Sequence, residues 1–341
     1  MKKGASFTAK LVKEVQRQLR GQRVGYLLGA GSSYLGRKGY PLAFDLWQRI
    51  RKCVEEPVRA AIQEKLDAGA TGIEQALDRF DDGDTKDTPY RHAVTAAISK
   101  SFRRIRPPLE AHVLFLKRLQ QRESEQVKIF SLNYDPLVER AADHARVRLT
   151  DGFRGIQQAY FDGSLFDESP VRTRASAKGP LIDLSKRTMH LLKLHGSLGW
   201  YELDAGEARR CPFDASIPRG ARPLMVPPQR RKAADTMSLP YAALWSRFRG
   251  ALAQDPKPLH RLVSIGYGFG DHHVNEVIAP VLERSDFTLL IFARVLSNEA
   301  WARWSAHERT IVVTESRCAL FGEAGEGHAD LWDFEHVAGE V

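Results

Sequence analysis

Cysteine is scarce in this chain, and long apolar runs are missing. The three cysteines, Cys53, Cys211 and Cys318, lie far apart without a Cys-x-x-Cys pair, which excludes the usual zinc module and disulfide framework. We therefore expect reduced thiols and no bound metal. No run of about 18 apolar residues could span a membrane, and the first residues lead into an amphipathic helix instead of a signal sequence. The sequence predicts a soluble cytoplasmic protein that does not bind membranes.

Two common phosphate-binding motifs are also absent. After the apolar run Val24–Leu28, the turn Gly29-Ala30-Gly31 is followed next by Gly36, so the spacing matches neither Gly-x-Gly-x-x-Gly nor the phosphate loop ending in Lys-Ser/Thr. A glycine turn after a strand can bring backbone N–H groups to a phosphate, or it can be a plain tight turn. No carboxylates cluster at metal-binding spacing, which disfavours a metal-dependent nuclease.

Positive charge is in excess and unevenly distributed. The formal net charge is 51 − 42 = +9, yet Glu315 to Glu340 holds seven acids and one base, so the remainder carries about +15. A basic body attracts nucleotides and nucleic acid through its long-range field. An ordinary solvated basic surface explains the same composition, so charge alone leaves nucleic-acid binding open.

Short apolar runs alternate with helical patterns along one large unit, 1–341. This alternation predicts an α/β fold with a Rossmann-like, mainly parallel sheet and helices on both faces. Arg222 to Pro228 is predicted as an edge strand, because its prolines cannot serve a central ladder. The expected divisions are a core at about 22–41, 123–150 and 188–315, a helical insertion at about 42–122, an irregular excursion at about 151–187, and an acidic C-terminal tail at 315–341.

Glycine-rich or polar segments follow four of the predicted strands. They are Leu28-Gly29-Ala30-Gly31-Ser32-Ser33, Ser131-Leu132-Asn133-Tyr134-Asp135, Lys193-Leu194-His195-Gly196-Ser197 and Gly266-Tyr267-Gly268-Phe269-Gly270-Asp271-His272-His273-Val274-Asn275. Open α/β sheets bind ligands at the carboxyl ends of their strands, so the four segments together predict one dinucleotide site. Each segment also allows a plainer interpretation. Asp135 and Asp271 suit helix N-caps, while Asn133 suits a turn. His195 could simply donate to a backbone carbonyl.

Together these segments resemble the sirtuin-like (silent information regulator-like) fold, and within it the NAD-cleaving branch common in bacterial anti-phage defence. That branch shows Gly-Ala-Gly-x-Ser, Asn-Tyr-Asp-x-Leu-x-Glu, Leu-His-Gly-Ser and Gly-Tyr-x-Phe-x-Asp-x-His-x-Asn. The chain matches every fixed position of these patterns in the same order, over about 22–315. It departs from the protein-deacetylating sirtuins, since it lacks their paired cysteines. Where they have Pro-Asp-Phe-Arg it has Pro41-Leu42-Ala43-Phe44, and Leu132 replaces their glutamine. Lysine deacylation is therefore disfavoured.

The resemblance implies that NAD⁺ is the substrate and is cleaved to ADP-ribose and nicotinamide. It implies that Asn133 holds the ribose hydroxyls or the attacking water, and that His195 acts as general base. Asp135 would face the developing cation or orient Asn133. Gly29, Ala30, Gly31 and Ser32 would cradle the pyrophosphate, and the far wall of the cofactor site would consist of Tyr267, Asp271, His273 and Asn275.

The resemblance also implies a restrained effector that depletes NAD⁺ after phage infection. Activation would come from a partner protein, such as a helicase-like ATPase or an Argonaute, or from a homo-oligomer, with nucleic acid reached through the complex. The helical insertion is the candidate contact surface. The alternative is a non-catalytic subunit that binds nucleotide or nucleic acid beside an ATPase, although no base-reading helix or aromatic stacking platform stands out.

Overall fold

The structure, a computed structural model, describes residues 6–70, 72–80, 89–122, 126–168, 173–174, 181–182, 188–203, 206–225 and 239–341. Strands within these ranges are β1 (Val24–Leu28), β2 (Lys128–Ser131), β3 (Leu149–Thr150), β4 (Phe153–Arg154), β5 (Ala159–Phe161), β6 (Thr173–Arg174), β7 (Leu181–Ile182), β8 (Met189–Lys193), β9 (Gly196–Glu202), β10 (Ala208–Arg210), β11 (Arg222–Met225), β12 (Arg261–Ile265), β13 (Thr288–Phe292), β14 (Thr310–Val313), β15 (Arg317–Leu320) and β16 (Glu323–Glu326).

Helices alternate with these strands, as the sequence predicts. They are α1 (Phe7–Leu19), α2 (Ala30–Tyr34), α3 (Ala43–Ile50), α4 (Glu56–Asp67), α5 (Ile73–Asp78), α6 (Pro89–Phe102), α7 (Glu110–Gln120), α8 (Leu137–Ala145), α9 (Tyr241–Arg249), α10 (His272–Ile278), α11 (Asn298–Ser305) and α12 (Phe334–Glu340). Short 3₁₀ turns occupy Leu35–Arg37, Arg51–Cys53, Gly163–Phe166 and Ala279–Glu283, and a π-helical turn, Gly250–Gln254, extends α9. Of the described helices, none combines the length and apolar character needed to cross a membrane.

The largest sheet has the order β16-β15-β14-β13-β12-β1-β2-β8-β3 in the described part of the chain. Its central strands β8-β2-β1-β12-β13-β14 are all parallel to their neighbours. Numbered among themselves along the chain, they follow the order 3-2-1-4-5-6 of the Rossmann fold. The order reverses between β1 and β12, and such a reversal opens a crevice at the carboxyl ends of the strands.

Helices cover both faces of this sheet, because alternate strand residues point into two separate cores. In β1, Tyr26 and Leu28 belong to the core formed with α1, α7, α8 and α12. Leu27 belongs to the opposite core, formed with α9, α10 and α11. Burial on both sides explains why β1 is apolar at every position.

The helical segment predicted at about 42–122 divides into two parts. Helices α3 to α6 pack mainly on one another, and the Trp47 ring N–H of α3 donates to Gln63 of α4 at 2.9 Å. Helix α7 instead packs on α8 and α12. Its Phe115 meets Tyr26 of β1 edge-on, with ring centroids 5.3 Å apart. Helix α7 therefore belongs to the layer that covers the main sheet.

A second, antiparallel sheet with the order β11-β9-β10-β5-β4 was not predicted. It joins the described start of the excursion, which contains β4 and β5, to the segment after His195. Strand β11 is an edge strand, as Pro223 within it suggested, but of this sheet. Residues 169–172, 175–180, 183–187 and 226–228, which complete the predicted excursion and edge strand, lie outside the described residues.

The acidic C-terminal segment is not a tail. Strands β15 and β16 extend the main sheet antiparallel to β14, and α12 packs on α7. Phe334 and Val337 are buried, whereas Glu323, Glu326 and Glu335 are exposed. The segment is amphipathic: its acidic residues occupy solvent-facing positions between buried apolar ones. Its net charge alone did not indicate this pattern.

Candidate active site

The four predicted segments meet at one edge of the main sheet. They follow β1, β2, β8 and β12, which are direct neighbours in the order β12-β1-β2-β8. Backbone hydrogen bonds continue past the strand ends: Gly29 N donates to Ile265 O, Leu132 N to Leu28 O and Leu194 N to Ser131 O, each at 2.9 Å. The site thus lies at the carboxyl edge, beside the reversal of strand order.

Two glycine turns pack directly on each other at this edge. Gly31 N donates to Gly266 O at 2.8 Å. A Cβ on Gly266, which has a φ of +69°, would lie 2.3 Å from Ser32 N, and one on Gly31 would lie 2.7 Å from Gly266 Cα. Only glycine permits both the left-handed conformation and this approach of two backbones. Exposed Ala30 and half-buried Gly31 lie at this edge.

Asn133 is anchored to the first glycine turn through its amide nitrogen. Its Nδ2 donates to Gly29 O at 2.9 Å and to Ser33 Oγ at 2.9 Å, and lies 3.3 Å from Ser32 Oγ. Because a backbone carbonyl can only accept, these contacts fix which end of the amide is nitrogen. The amide oxygen is then the atom through which half-buried Asn133 can bind a hydroxyl or a water molecule.

Asp135 lies beneath Asn133 and not in the crevice. It is 5% exposed, accepts a hydrogen bond from Leu137 N at 3.1 Å and is hydrogen-bonded to Ser33. Burial raises the pKa of the Asp135 carboxyl, and the positive charge of Lys193 opposes that rise. Asp135 therefore accepts from the first residue of α8, whose N-cap is Pro136, and contacts Ser33, which also contacts Asn133.

Lys193, which sequence reasoning missed, supports this arrangement from below. It is the last residue of β8 and is 1% exposed. Its ammonium donates to the backbone carbonyl of Asp135 and to Glu139 Oε1, the latter at 3.1 Å. A lysine at the end of a largely apolar strand, two residues before His195, was the available signal, since a buried cation needs fixed partners.

His195 contacts His273 at this edge of the sheet. Ser131 of β2 is the register partner of Lys193 in β8, so Asn133 and His195 stand two residues beyond paired positions on neighbouring strands. The Nε2 atoms of His195 and His273 are 3.0 Å apart, which allows one ring to donate to the other. His195 is 2% exposed, while His273 is half-buried.

A tryptophan forms one wall beside the two histidines. The buried Trp245 of α9 donates its ring N–H to Leu194 O at 3.1 Å, and its ring centroid lies 5.0 Å from that of His273. Sequence reasoning also missed this residue, because Trp245 lies on a distant helix with no motif of its own.

The last segment contains two buried side chains that hold its loop in shape and two half-buried side chains that face the crevice. Tyr267 and Asn275 are buried, and the Tyr267 hydroxyl accepts from Asp271 N at 3.0 Å and lies 3.2 Å from Asn275 Oδ1. Asn275 Nδ2 donates to Phe269 O at 2.9 Å. These two side chains hold the loop in shape. Asp271 and His273, which are half-buried, are the ones that face the crevice.

One group of side chains has the spacing for a metal ion. Within the described ranges, ligand atoms of His195, Asp271 and His273 all lie within 4.8 Å of one another. Asp271 stands at the N-cap of α10, yet its carboxylate makes no capping hydrogen bond, contrary to the plainer expectation from sequence. The three cysteines are free thiols.

Comparison with known proteins gives a family match. The sequence model of a family described as SIR2-like domain matches residues 127–311, more than half of the chain. Curated proteins show no match. Solved structures similar to this chain include Sir2Tm bound to a propionylated peptide, at 16% identity, 84% coverage of this chain, 88% of that chain and a TM-score of 0.41. A point mutant of a Sir2 homologue in complex with ADP-ribose shows 12% identity, 96% and 94% coverage and a TM-score of 0.48.

Proposed function

Because the chain belongs to the SIR2-like domain family, we propose that it is an NAD⁺ glycohydrolase. Its substrate would be NAD⁺, and its products ADP-ribose and nicotinamide. The observation that supports the proposal most strongly is the convergence of Asn133 and His195 on neighbouring strand ends at the carboxyl edge of the sheet. An amide oxygen and an imidazole directed at one crevice suit a reaction at a sugar carbon.

The proposed reaction breaks the bond between nicotinamide and the ribose carbon. The bonding electrons leave with nicotinamide, which becomes neutral without receiving a proton, and the ribose carbon acquires oxocarbenium character. Water then adds to that carbon and loses a proton. NAD⁺ and water therefore yield ADP-ribose, nicotinamide and one proton. The site must position water, accept that proton and stabilise a positive sugar.

Each residue has a role that fits its surroundings. Asn133 binds the water or a ribose hydroxyl through its amide oxygen. His195 accepts the proton, and His273, 3.0 Å away, can share it between the two rings. Asp135 acts from beneath, through Ser33 and the start of α8. The backbone of Gly29, Ala30 and Gly31 with buried Ser32 is the expected pyrophosphate cradle, and Tyr267 and Asn275 keep the opposite loop in place.

Substitution of Asn133 and of His195 tests the proposal. We expect Asn133→Ala and His195→Ala to lower the rate of NAD⁺ cleavage by at least about a hundredfold, since each removes a group that acts in the transition state. Chromatography of NAD⁺ incubated with the protein measures the rate, and circular dichroism checks the fold. His272→Ala and Asn298→Ala are matched controls and are expected to keep the wild-type rate, because both side chains are exposed and contact other residues, Glu276 and Arg317 respectively. Wild-type protein that leaves NAD⁺ intact, with and without its activator, would contradict the proposal.

The second candidate is a binding subunit without catalysis. The net charge of +9 favours it, because a basic surface attracts nucleotides and nucleic acid. The same variants separate the two functions. If Asn133→Ala and His195→Ala abolish NAD⁺ turnover but leave biological activity unchanged, the binding function is the better description.

The biological setting remains a proposal drawn from the resemblance. We infer a cytoplasmic effector that depletes NAD⁺ during phage infection and is restrained until a helicase-like ATPase, an Argonaute or self-assembly activates it. Helices α3 to α6 are the candidate contact surface. NAD⁺ levels in cells carrying wild-type and His195→Ala protein, measured during infection, should fall only with the wild type.

A further inference from the structure

Three side chains in the crevice combine the atoms that bind transition metals. His195 comes from the end of β8, and Asp271 and His273 come from the loop after β12 and the first turn of α10. The two Nε2 atoms are 3.0 Å apart, and the ligand atoms of all three residues lie within 4.8 Å of one another. Distant parts of the sequence thus present two imidazoles and one carboxylate to a single point.

The spacing suits a tetrahedral zinc-type ion. With Zn–N bonds of about 2.0–2.1 Å, two imidazole nitrogens on one ion stand about 3.3 Å apart, close to the separation seen here. Two histidines and one carboxylate form a common three-ligand set that leaves the fourth position open. Mg²⁺ prefers oxygen ligands and keeps several of its water molecules, so two imidazole nitrogens do not suit it.

Asp271 supplies an independent observation. It occupies the N-cap of α10, where an aspartate usually accepts from the first free N–H groups, a contact worth about 1 kcal/mol. Its carboxylate makes no such bond, and instead lies beside the two histidines. The orientation favours the histidine cluster over the helix.

We propose that His195, Asp271 and His273 bind a divalent transition metal of the zinc class and that the bound ion inhibits the enzyme. The inhibitory part rests on the proposed NAD⁺ cleavage. Metal coordination uses the same nitrogen lone pair of His195 that accepts the proton from water, so the two events exclude each other. Removal of the metal would free His195 to act as the base, so the bound ion would keep the enzyme inactive until it leaves.

Metal binding is tested directly on the full chain without an affinity tag. Titration with Zn²⁺ followed by calorimetry, and with Co²⁺ followed by its visible absorption band, should show one ion per chain. His273→Gln and Asp271→Asn should each weaken metal binding by at least about tenfold. Loss of a residue that only hydrogen-bonds to a metal ligand already lowers metal affinity about 10- to 100-fold. His272→Gln is the matched control. It replaces the exposed neighbouring histidine, which contacts Glu276 at 3.3 Å, and should bind as wild type does.

Two results would overturn the metal site. One is absence of stoichiometric binding by the wild type, which would leave the two histidines as a hydrogen-bonded pair. The other is unchanged binding by His273→Gln and Asp271→Asn, which would place the ion elsewhere, for example at half-buried Cys53. A visible spectrum of bound Co²⁺ that disappears in both variants supports the cluster independently of enzyme activity.

An activity measurement separates failure of this inference from failure of the proposed function. Free Zn²⁺ at about ten times its Kd should lower NAD⁺ cleavage roughly tenfold, and a chelator should restore it. Binding at the cluster without any effect on cleavage would overturn the inhibitory part. Binding at the cluster by a protein that never cleaves NAD⁺ would keep the metal site and contradict the glycohydrolase proposal.

Discussion

Lys193 connects β8 to the segment that carries Asn133. It is buried at the end of β8 and joins the Asp135 carbonyl to the Glu139 carboxylate. We expect Lys193→Met to lower the free energy of unfolding by about 2–3 kcal/mol, because the substitution removes a buried charged donor and leaves its acceptors unsatisfied. NAD⁺ cleavage should also fall, since the segment that carries Asn133 loosens. Urea unfolding and chromatography measure the two effects.

Lys128→Met is the matched control for this prediction. Lys128 begins β2 and pairs with Asp255 at 2.8 Å, but both side chains are partly exposed. Exposed ion pairs contribute only about 0–1 kcal/mol, so the loss of stability should be smaller and cleavage unaffected. Equal losses in the two variants would show that Lys193 has no special supporting role.

At the scale of elements, the turns after β1 and β12 pack directly on each other at the carboxyl edge of the sheet. Gly266→Ala introduces a Cβ 2.3 Å from Ser32 N at a φ of +69°. We expect more than the roughly 1–2 kcal/mol that a left-handed alanine costs, because the two backbones must also separate. NAD⁺ cleavage should fall together with stability. Gly36→Ala isolates the conformational part, since Gly36 has a φ of +57° and no atom within 4 Å of an added Cβ. Similar losses in both variants would argue against the contact.

The packing of α7 on α12 makes stability depend on pH. His112 is buried against Phe334, with ring centroids 4.4 Å apart, and neither ring nitrogen has a hydrogen-bond partner among the described residues. Burial lowers the pKa of His112 to about 3 from an ordinary value of 6.5. Between pH 6.5 and about pH 3, His112 therefore binds a proton in the unfolded chain but not in the folded protein. Stability is complete above pH 6.5 and declines as the pH falls toward 3, by up to roughly 1.4 kcal/mol per pH unit from this residue.

His112→Leu should reduce this slope and raise stability at pH 5. Urea unfolding at pH 7 and pH 5 measures the difference between the variant and the wild type. Some slope should remain, because burial, reinforced by Lys128, lowers the pKa of His190 to about 4 with the same sign. His272→Leu, at an exposed position of α10, is the control. A variant with the wild-type slope would show that His112 titrates normally.

At the scale of the whole molecule, helices α3 to α6 pack mainly on one another, and their buried side chains continue the core on one face of the main sheet. Phe44 of α3 is 71% exposed, so its ring is accessible to another molecule. If this surface mediates the proposed self-assembly, Phe44→Ser should lower the molar mass measured by light scattering toward that of a single chain. Val295→Ser, at a 65% exposed apolar position near α11, is the matched control and should leave the mass unchanged. An unchanged mass in Phe44→Ser would exclude Phe44 from the interface.

Much of the main sheet could be predicted from sequence because its strands are buried on both faces. Segments such as Val24–Leu28 and Thr310–Val313 are short apolar runs bounded by turns, and such runs indicate buried parallel strands. The second sheet could not be predicted, since four of its five strands have only two to four residues and the longer strand β9 is buried without regular alternation. The acidic C-terminal segment was misjudged because total charge says nothing about which face of an element carries it.

The motifs alone determined the fold class and the four segments that form the crevice, because glycine turns and polar residues directly after apolar strands are typical of ligand-binding α/β sheets. Tertiary structure decided the direction of each side chain. Asp135 and Asn275 carry the same chemistry as crevice residues but support the loops from within. Lys193 begins the third segment yet is buried beneath it, and Trp245 lies on a helix without a motif. Side-chain direction depends on contacts between strands that are far apart in sequence, and only packing brings those contacts together.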